Sequence, residues 1–158
     1  MVMQKIQGNQ GGSIPAPESY ELKVDGSTQI DKVQQRLVGM WASVVNVRVF
    51  ENPVLLNNFF GEYAAYVGFY SSMVDQLFRE TTKVVEEATN QVYREQVGAS
   101  ATFIDSLIRR TERHISKDLT FHERELKTFN NNINAMQTKL RLYGDEAKTM
   151  AGKRVGGL

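Results

Sequence analysis

Residues 119–150 read LTFHERELKTFNNNINAMQTKLRLYGDEAKTM. Leu119, Leu126, Ile133, Leu140 and Ala147 fall seven apart, and His122, Phe129, Met136, Tyr143 and Met150 fall three residues after each of them. This 3-4 spacing places one narrow apolar seam along a helix of roughly 48 Å at 1.5 Å per residue. A seam of that kind has to be covered by another helix, from the same chain or from a copy of it. Its flanks carry Glu123, Glu125, Asn130, Asn132, Gln137 and Lys139. Neutral Asn and Gln in place of opposed charges point to packing inside a bundle, against the helix that follows Pro53, more than to a register-specific coiled-coil dimer.

That preceding helix has its own rhythm. Leu56, Phe60, Tyr63, Val67, Tyr70, Val74, Leu77, Thr81, Val84 and Ala88 keep a 4-3 spacing. Between Phe59 and Phe78 the apolar face widens, as Phe59, Tyr66, Phe69, Met73 and Phe78 join it. A face that wide serves two neighbours, and it leads us to expect self-association. Gly61 and Gly68 sit on one edge, either as tolerated helix glycines or as a place where another backbone comes close. The uncharged interval between Glu62 and Asp75 is twelve residues, too short to span a bilayer.

Upstream, a helix is expected after Gly26, with Thr28 and Asp31 in a capping-box pattern and Ile30, Val33, Leu37, Met40, Trp41, Val44 and Val45 on one face. Asn52-Pro53 ends it and starts the next, with Asn52 as N-cap and proline in the first turn. Gly98 breaks the pattern, Thr102 and Asp105 resemble a new cap, and Thr120 with Glu123 a third, so a kink or short break is expected over Ser116–Thr120. The prediction is an all-α fold, a long-helix hairpin or bundle with coiled-coil-like packing and helices over about 28–50, 53–97, 102–117 and 120–151. The helical domain spans 20–152, behind a disordered Gly/Pro-punctuated arm at 1–19 and ahead of a flexible tail at 153–158. Tyr20, Leu22 and Val24 alternate with polar residues as a short extended segment.

The 158 residues carry 19 basic and 18 acidic side chains, so the chain as a whole is no polycation. The distribution is uneven: three basic against six acidic over 53–97, eleven against seven over 98–158. Cysteine is absent, which removes disulfides and thiolate metal sites. The polar start lacks the apolar core of a secretory signal, so a cytoplasmic location is expected.

The best functional candidate is the basic stretch Arg109, Arg110, Arg113, Lys117, Arg124 and Lys127. On a helix, 109, 113 and 117 share a face, and a row of cations can track a phosphate backbone. The competing reading is a solvated face balanced by Glu112, Asp118, Glu123 and Glu125. A second basic group, Lys139, Arg141, Lys148, Lys153 and Arg154, extends the patch or simply complements the helix dipole. His114, Asp118 and His122 stand four apart and on an unbroken helix would share a face; a buried or hinge histidine is preferred to a metal site there. No phosphate-binding loop, nucleophile elbow or zinc-protease helix occurs. No enzyme activity, cofactor, metal or small-molecule substrate is expected. Phe59, Tyr63, Tyr66, Tyr70, Met73, Leu126, Phe129, Ile133, Met136 and Leu140 are read as the helix-packing or oligomer interface, because no basic residue lies between Pro53 and Phe78 to make the aromatics a base-stacking surface.

The order of these parts resembles a known group. An apolar, tyrosine-bearing helix (Leu55-Leu56, Tyr63, Tyr66, Tyr70) runs into a polar continuation (Thr82–Arg94). A basic segment follows (Arg109-Arg110-Thr111-Glu112-Arg113, then Asp118), and then a heptad helix (Glu123–Leu142). Over roughly residues 53–150 this is similar to the UvsY-type recombination mediators of tailed phages. The resemblance implies a non-enzymatic homo-oligomer that binds single-stranded DNA, meets a recombinase or single-strand-binding protein, and acts in the host cytoplasm without a membrane. It rests on helix order, so it assigns no DNA-contacting residue. The alternative from sequence is a structural or assembly subunit of a virion, filament or secretion apparatus.

Overall fold

The computed structural model describes residues 29–46 and 48–155. Four α-helices span α1 (Gln29–Asn46), α2 (Pro53–Glu95), α3 (Ala101–Ile115) and α4 (Lys117–Val155), with a 3-10 turn at Val49–Glu51. Among the described residues there is no strand, so the all-α bundle is borne out. The arm at 1–19, the Tyr20–Val24 segment and the Thr28 cap lie outside the described residues.

Each helix end has a local cause. The first helix stops at Asn46, four residues short of expectation. Its β-branched end, Val44-Val45, holds helix weakly, and Arg48 turns left-handed (φ 52°) before the 3-10 turn. Asn52 caps α2 as read, its side chain accepting from the Val54 and Leu55 amides with Pro53 in the first turn. The long helix is then continuous for 43 residues, about 64 Å. Gly98 takes a positive φ (+89°) that a side chain would resist, and the chain reverses there. The cap of α3 is Ser100, which accepts from the Phe103 amide, and not Thr102.

The break expected over Ser116–Thr120 shrinks to Ser116 alone. Its amide donates to the Glu112 carbonyl and its carbonyl accepts the Thr120 amide. The Thr120 hydroxyl also donates to the Ser116 carbonyl, so Thr120 is an interior residue and not a cap. Lys153–Val155, assigned to the tail, continue α4.

The helix-loop geometry makes α2 one long rod, with α3 and α4 returning along it. Tyr70 meets His122, and Tyr63 meets Phe129 and Asn132: residue numbers fall on one helix as they rise on the other, so the pair is antiparallel. α1 fills the groove between α2 and α4 in the proximal half. Asp31 reaches His122, Gln34 reaches Glu125, the Arg36 guanidinium lies over Tyr66, and Trp41 packs on Tyr63 and Phe50. The core formed there contains Ile30, Val33, Leu37, Leu56, Tyr63, Tyr70, Phe129 and Met136. The wide aromatic face of α2 thus meets two neighbours of its own chain, α1 and α4.

The glycines at 61 and 68 serve no close backbone approach, since a Cβ at either would meet nothing within 4 Å. The seam of α4 is buried or half-buried as far as Tyr143, whose hydroxyl donates to the Phe50 carbonyl. Beyond it, Ala147 is exposed and Met150 is 70% exposed. The neighbouring helices end at Asn46 and begin at Pro53, so the last turns of α4 overhang.

Candidate nucleic-acid interface

The cationic residues are held by the joint between α3 and α4. Ser116 interrupts the helix, with a ψ of 4° and no ladder bond from Lys117, Asp118 or Leu119 back to residues 113–115, yet Ile104, Ile108 and Ile115 of α3 and Leu119 and Leu126 of α4 are all buried or half-buried and so form one seam across the joint. At 100° per residue, Arg109, Arg113, Lys117, Arg124 and Lys127 then fall on the back of the helix, with Arg110 on its edge, opposite the seam of Ile104, Ile108, Ile115, Leu119 and Leu126. All six are exposed. None of their side chains forms an ion pair or hydrogen bond with another described residue. From Arg109 to Lys127 the strip is about 27 Å long.

The four acids that were to balance it are turned away or to one flank. Glu125 accepts from Gln34 of α1. Asp118 is seven residues before Glu125 and shares its side of the helix. Glu112 and Glu123 lie on the opposite flank, in line with Asp105. Between Arg109 and Lys127 no acidic side chain stands on the back of the helix. Thr102, Asp105, Ser106, Arg109, Arg110 and Arg113 line one depression, and Leu107, Arg110, Thr111, Arg113, His114 and Lys117 another, so Arg110 and Arg113 border both. The second basic group is spread differently: Lys139 lies over the Tyr143 ring, half-buried, while Lys148, Lys153 and Arg154 stand on the overhang.

His114 and His122 part company. His114 is exposed, whereas His122 is buried and its ring is occupied: the Tyr70 hydroxyl is 2.6 Å from Nδ1 and Asp31 Oδ1 is 3.1 Å from Nε2. Burial lowers the His122 pKa against the opposing pull of Asp31, and burial, with Glu125 and Asp31 adding, raises that of Tyr70. Among the described residues no three His, Asp or Glu side chains gather as a metal site. The Tyr70–His122–Asp31 chain is the polar feature that periodicity alone did not reveal; the signal available was a histidine in a seam slot, which must find partners there.

Phe59, Tyr63, Tyr66, Tyr70 and Met73 of α2, and Leu126, Phe129, Ile133, Met136 and Leu140 of α4, all belong to the core of the single chain or pack against it. As placed, they are occupied within the protomer, and Asn132 donates to the Tyr63 hydroxyl across the same seam. No helix among the described residues is long and apolar enough to cross a membrane. No protein-family model, curated protein or solved structure matches this chain.

Proposed function

We propose that the protein is a non-enzymatic, oligomeric helical protein that binds single-stranded DNA along the back of α3 and α4 and assists the loading of a recombinase, as its resemblance to UvsY-type mediators implies. The observation that carries this reading is the strip of six exposed cations without an acid among them. Cations about 5–10 Å apart along two abutting helices can follow phosphates, and the counterions they release supply affinity that falls with salt. The strip is short, so binding by one subunit is weak. Several subunits presenting it together multiply the affinity through effective concentration. The aromatics of the wide α2 face stay in the core and offer no stacking surface, so binding rests on the phosphates and is sequence-tolerant.

Fluorescence anisotropy with a labelled single strand at low and high salt tests the reading. Salt-sensitive binding supports it; no binding at low salt by correctly assembled protein removes it.

The structural-subunit reading draws on a different observation, the unsheltered apolar residues of the α4 overhang. Its mark is long polymers in electron micrographs that form without nucleic acid.

A further inference from the structure

Among the described residues, α1 covers only part of the groove it occupies. It begins at Gln29, level with Met73 of α2 and His122 of α4. Beyond that point the same groove continues between α2 and α3 with no described helix over it. On the α2 side the stripe Tyr66, Met73, Val84 passes from covered to open: Met73 is 3% exposed and Val84 is 48% exposed. On the α3–α4 side the stripe Phe103, Leu107, His114, Phe121 leads into Glu125, the partner of α1. Phe103 and Phe121 are about half exposed, and α3 contains no fully buried residue. A fifteen-residue helix is marginal by itself and depends on packing of its apolar face.

We propose that this open α2–α3 groove is the interface with a second copy of the chain, two hairpins closing into a four-helix bundle. The lips of the groove argue for a copy over an unrelated partner. On α2 the lip carries Glu80 and Glu87, seven apart; on α3 it carries Arg110 and Lys117, also seven apart. Under a two-fold, each acidic lip meets the basic lip of the other subunit, so the surface is complementary to itself. The size also fits. A face about 22 Å long and two helices wide buries on the order of 600 Å² a side, which reaches the lower bound of a stable interface. Pairing engages Arg110 and Lys117 at the lips and leaves Arg109, Arg113, Arg124 and Lys127 facing outward, so it brings two four-cation strips into one assembly. The inference deepens the oligomeric part of the proposed function.

The test is the mass in solution by light scattering of the full chain and three variants, with helix content followed by circular dichroism. The wild type is expected at a multiple of the subunit mass. Val84→Glu with Phe103→Glu, at positions exposed enough to accept charge, halves that mass or lowers it further while helix content holds. Glu80→Lys with Glu87→Lys makes both lips basic and does the same. Adding Arg110→Glu and Lys117→Glu to that pair exchanges the lips and restores the wild-type mass, which loss of folding cannot imitate. A single-subunit mass for the wild type overturns the proposal and gives the groove to another occupant. So does a multimer indifferent to all three variants. Nucleic-acid binding is read separately: a multimer that ignores single strands sinks the DNA reading and spares the interface, and a monomer that binds them does the reverse.

Discussion

The Tyr70 hydroxyl lies 2.6 Å from His122 Nδ1; because the Asp31 carboxylate 3.1 Å from Nε2 only accepts, the neutral imidazole carries its proton on Nε2, and Nδ1 accepts from the phenol. One side chain from each of three helices is tied at this point, where α1 starts. If the imidazole takes a proton, Nδ1 becomes a donor to the phenol oxygen, and the phenol's own proton must find another acceptor. The His122 carbonyl, 3.4 Å from the hydroxyl, is the acceptor at hand.

Acid should therefore loosen the bundle. Burial holds the His122 pKa below its ordinary 6.5, although Asp31 pulls the other way. The unfolded chain then binds the proton more readily than the native one. This group's contribution to stability is complete above about pH 6.5 and declines as pH falls through that value towards the folded-state pKa. The slope from this one group is at most about 1.4 kcal/mol per pH unit. Urea denaturation at a series of pH values from 7.5 to 5 measures it, and His122→Gln should flatten the curve over that interval.

Tyr70→Phe removes the donor and leaves Nδ1 buried without a partner. The expected loss is about 1–3 kcal/mol, the cost of an unsatisfied buried polar group. The variant should also weaken the pH dependence, because the hydroxyl no longer donates to the neutral imidazole and so no longer favours it over the charged form. A denaturation midpoint unchanged from wild type would mean that water reaches the site.

The two methionines of the α4 seam should behave as different residues. Met136 is fully buried, and Met136→Ala should cost about 2–5 kcal/mol. Met150, further along the same heptad pattern, lies on the overhang, and Met150→Ala should stay within about 0.5 kcal/mol. Equal effects on the unfolding midpoint would place a neighbour over the overhang.

At the other end of the hairpin, Asn52→Ala removes the acceptor for two amides at the start of α2. The expected cost is about 1 kcal/mol. Asn52→Gly should cost only a few tenths, and the comparison of the two midpoints separates capping from other effects of the side chain.

These cases also show what a single sequence carries. The 3-4 spacing of Leu119–Tyr143 and the 4-3 spacing of Leu56–Thr81 pointed to two long helices and their mutual packing, because periodicity records which face is covered. It does not record where the cover stops, and so the pattern at Ala147 and Met150 looked the same as that at Phe129. Asn52-Pro53 was legible since proline leaves few options. Ser100 was missed because the third residue after it is Phe103, whereas Thr102 and Asp105 two residues on offer a capping-box spacing, and only the backbone chooses between them. The covering of the wide α2 face by α1 was hidden too: it depends on pairs such as Arg36 with Tyr66 and Gln34 with Glu125, which are far apart along the chain. The cations were legible as a cluster. Their freedom from carboxylates was not, since it depends on α3 and α4 burying the same side across the break at Ser116.

The central claim is that this strip meets a phosphate backbone, and the salt dependence of binding tests it most directly. The affinity for a labelled single strand, measured over a range of salt concentrations, should fall linearly on logarithmic axes. Replacing Arg109, Arg113 and Arg124 together by alanine should reduce the magnitude of the slope by about 0.7 for each phosphate that no longer has a cation against it. The triple variant should keep the wild-type helix content, as all three side chains are exposed. Binding that is absent at low salt, or whose slope is the same in the variant, would contradict the account.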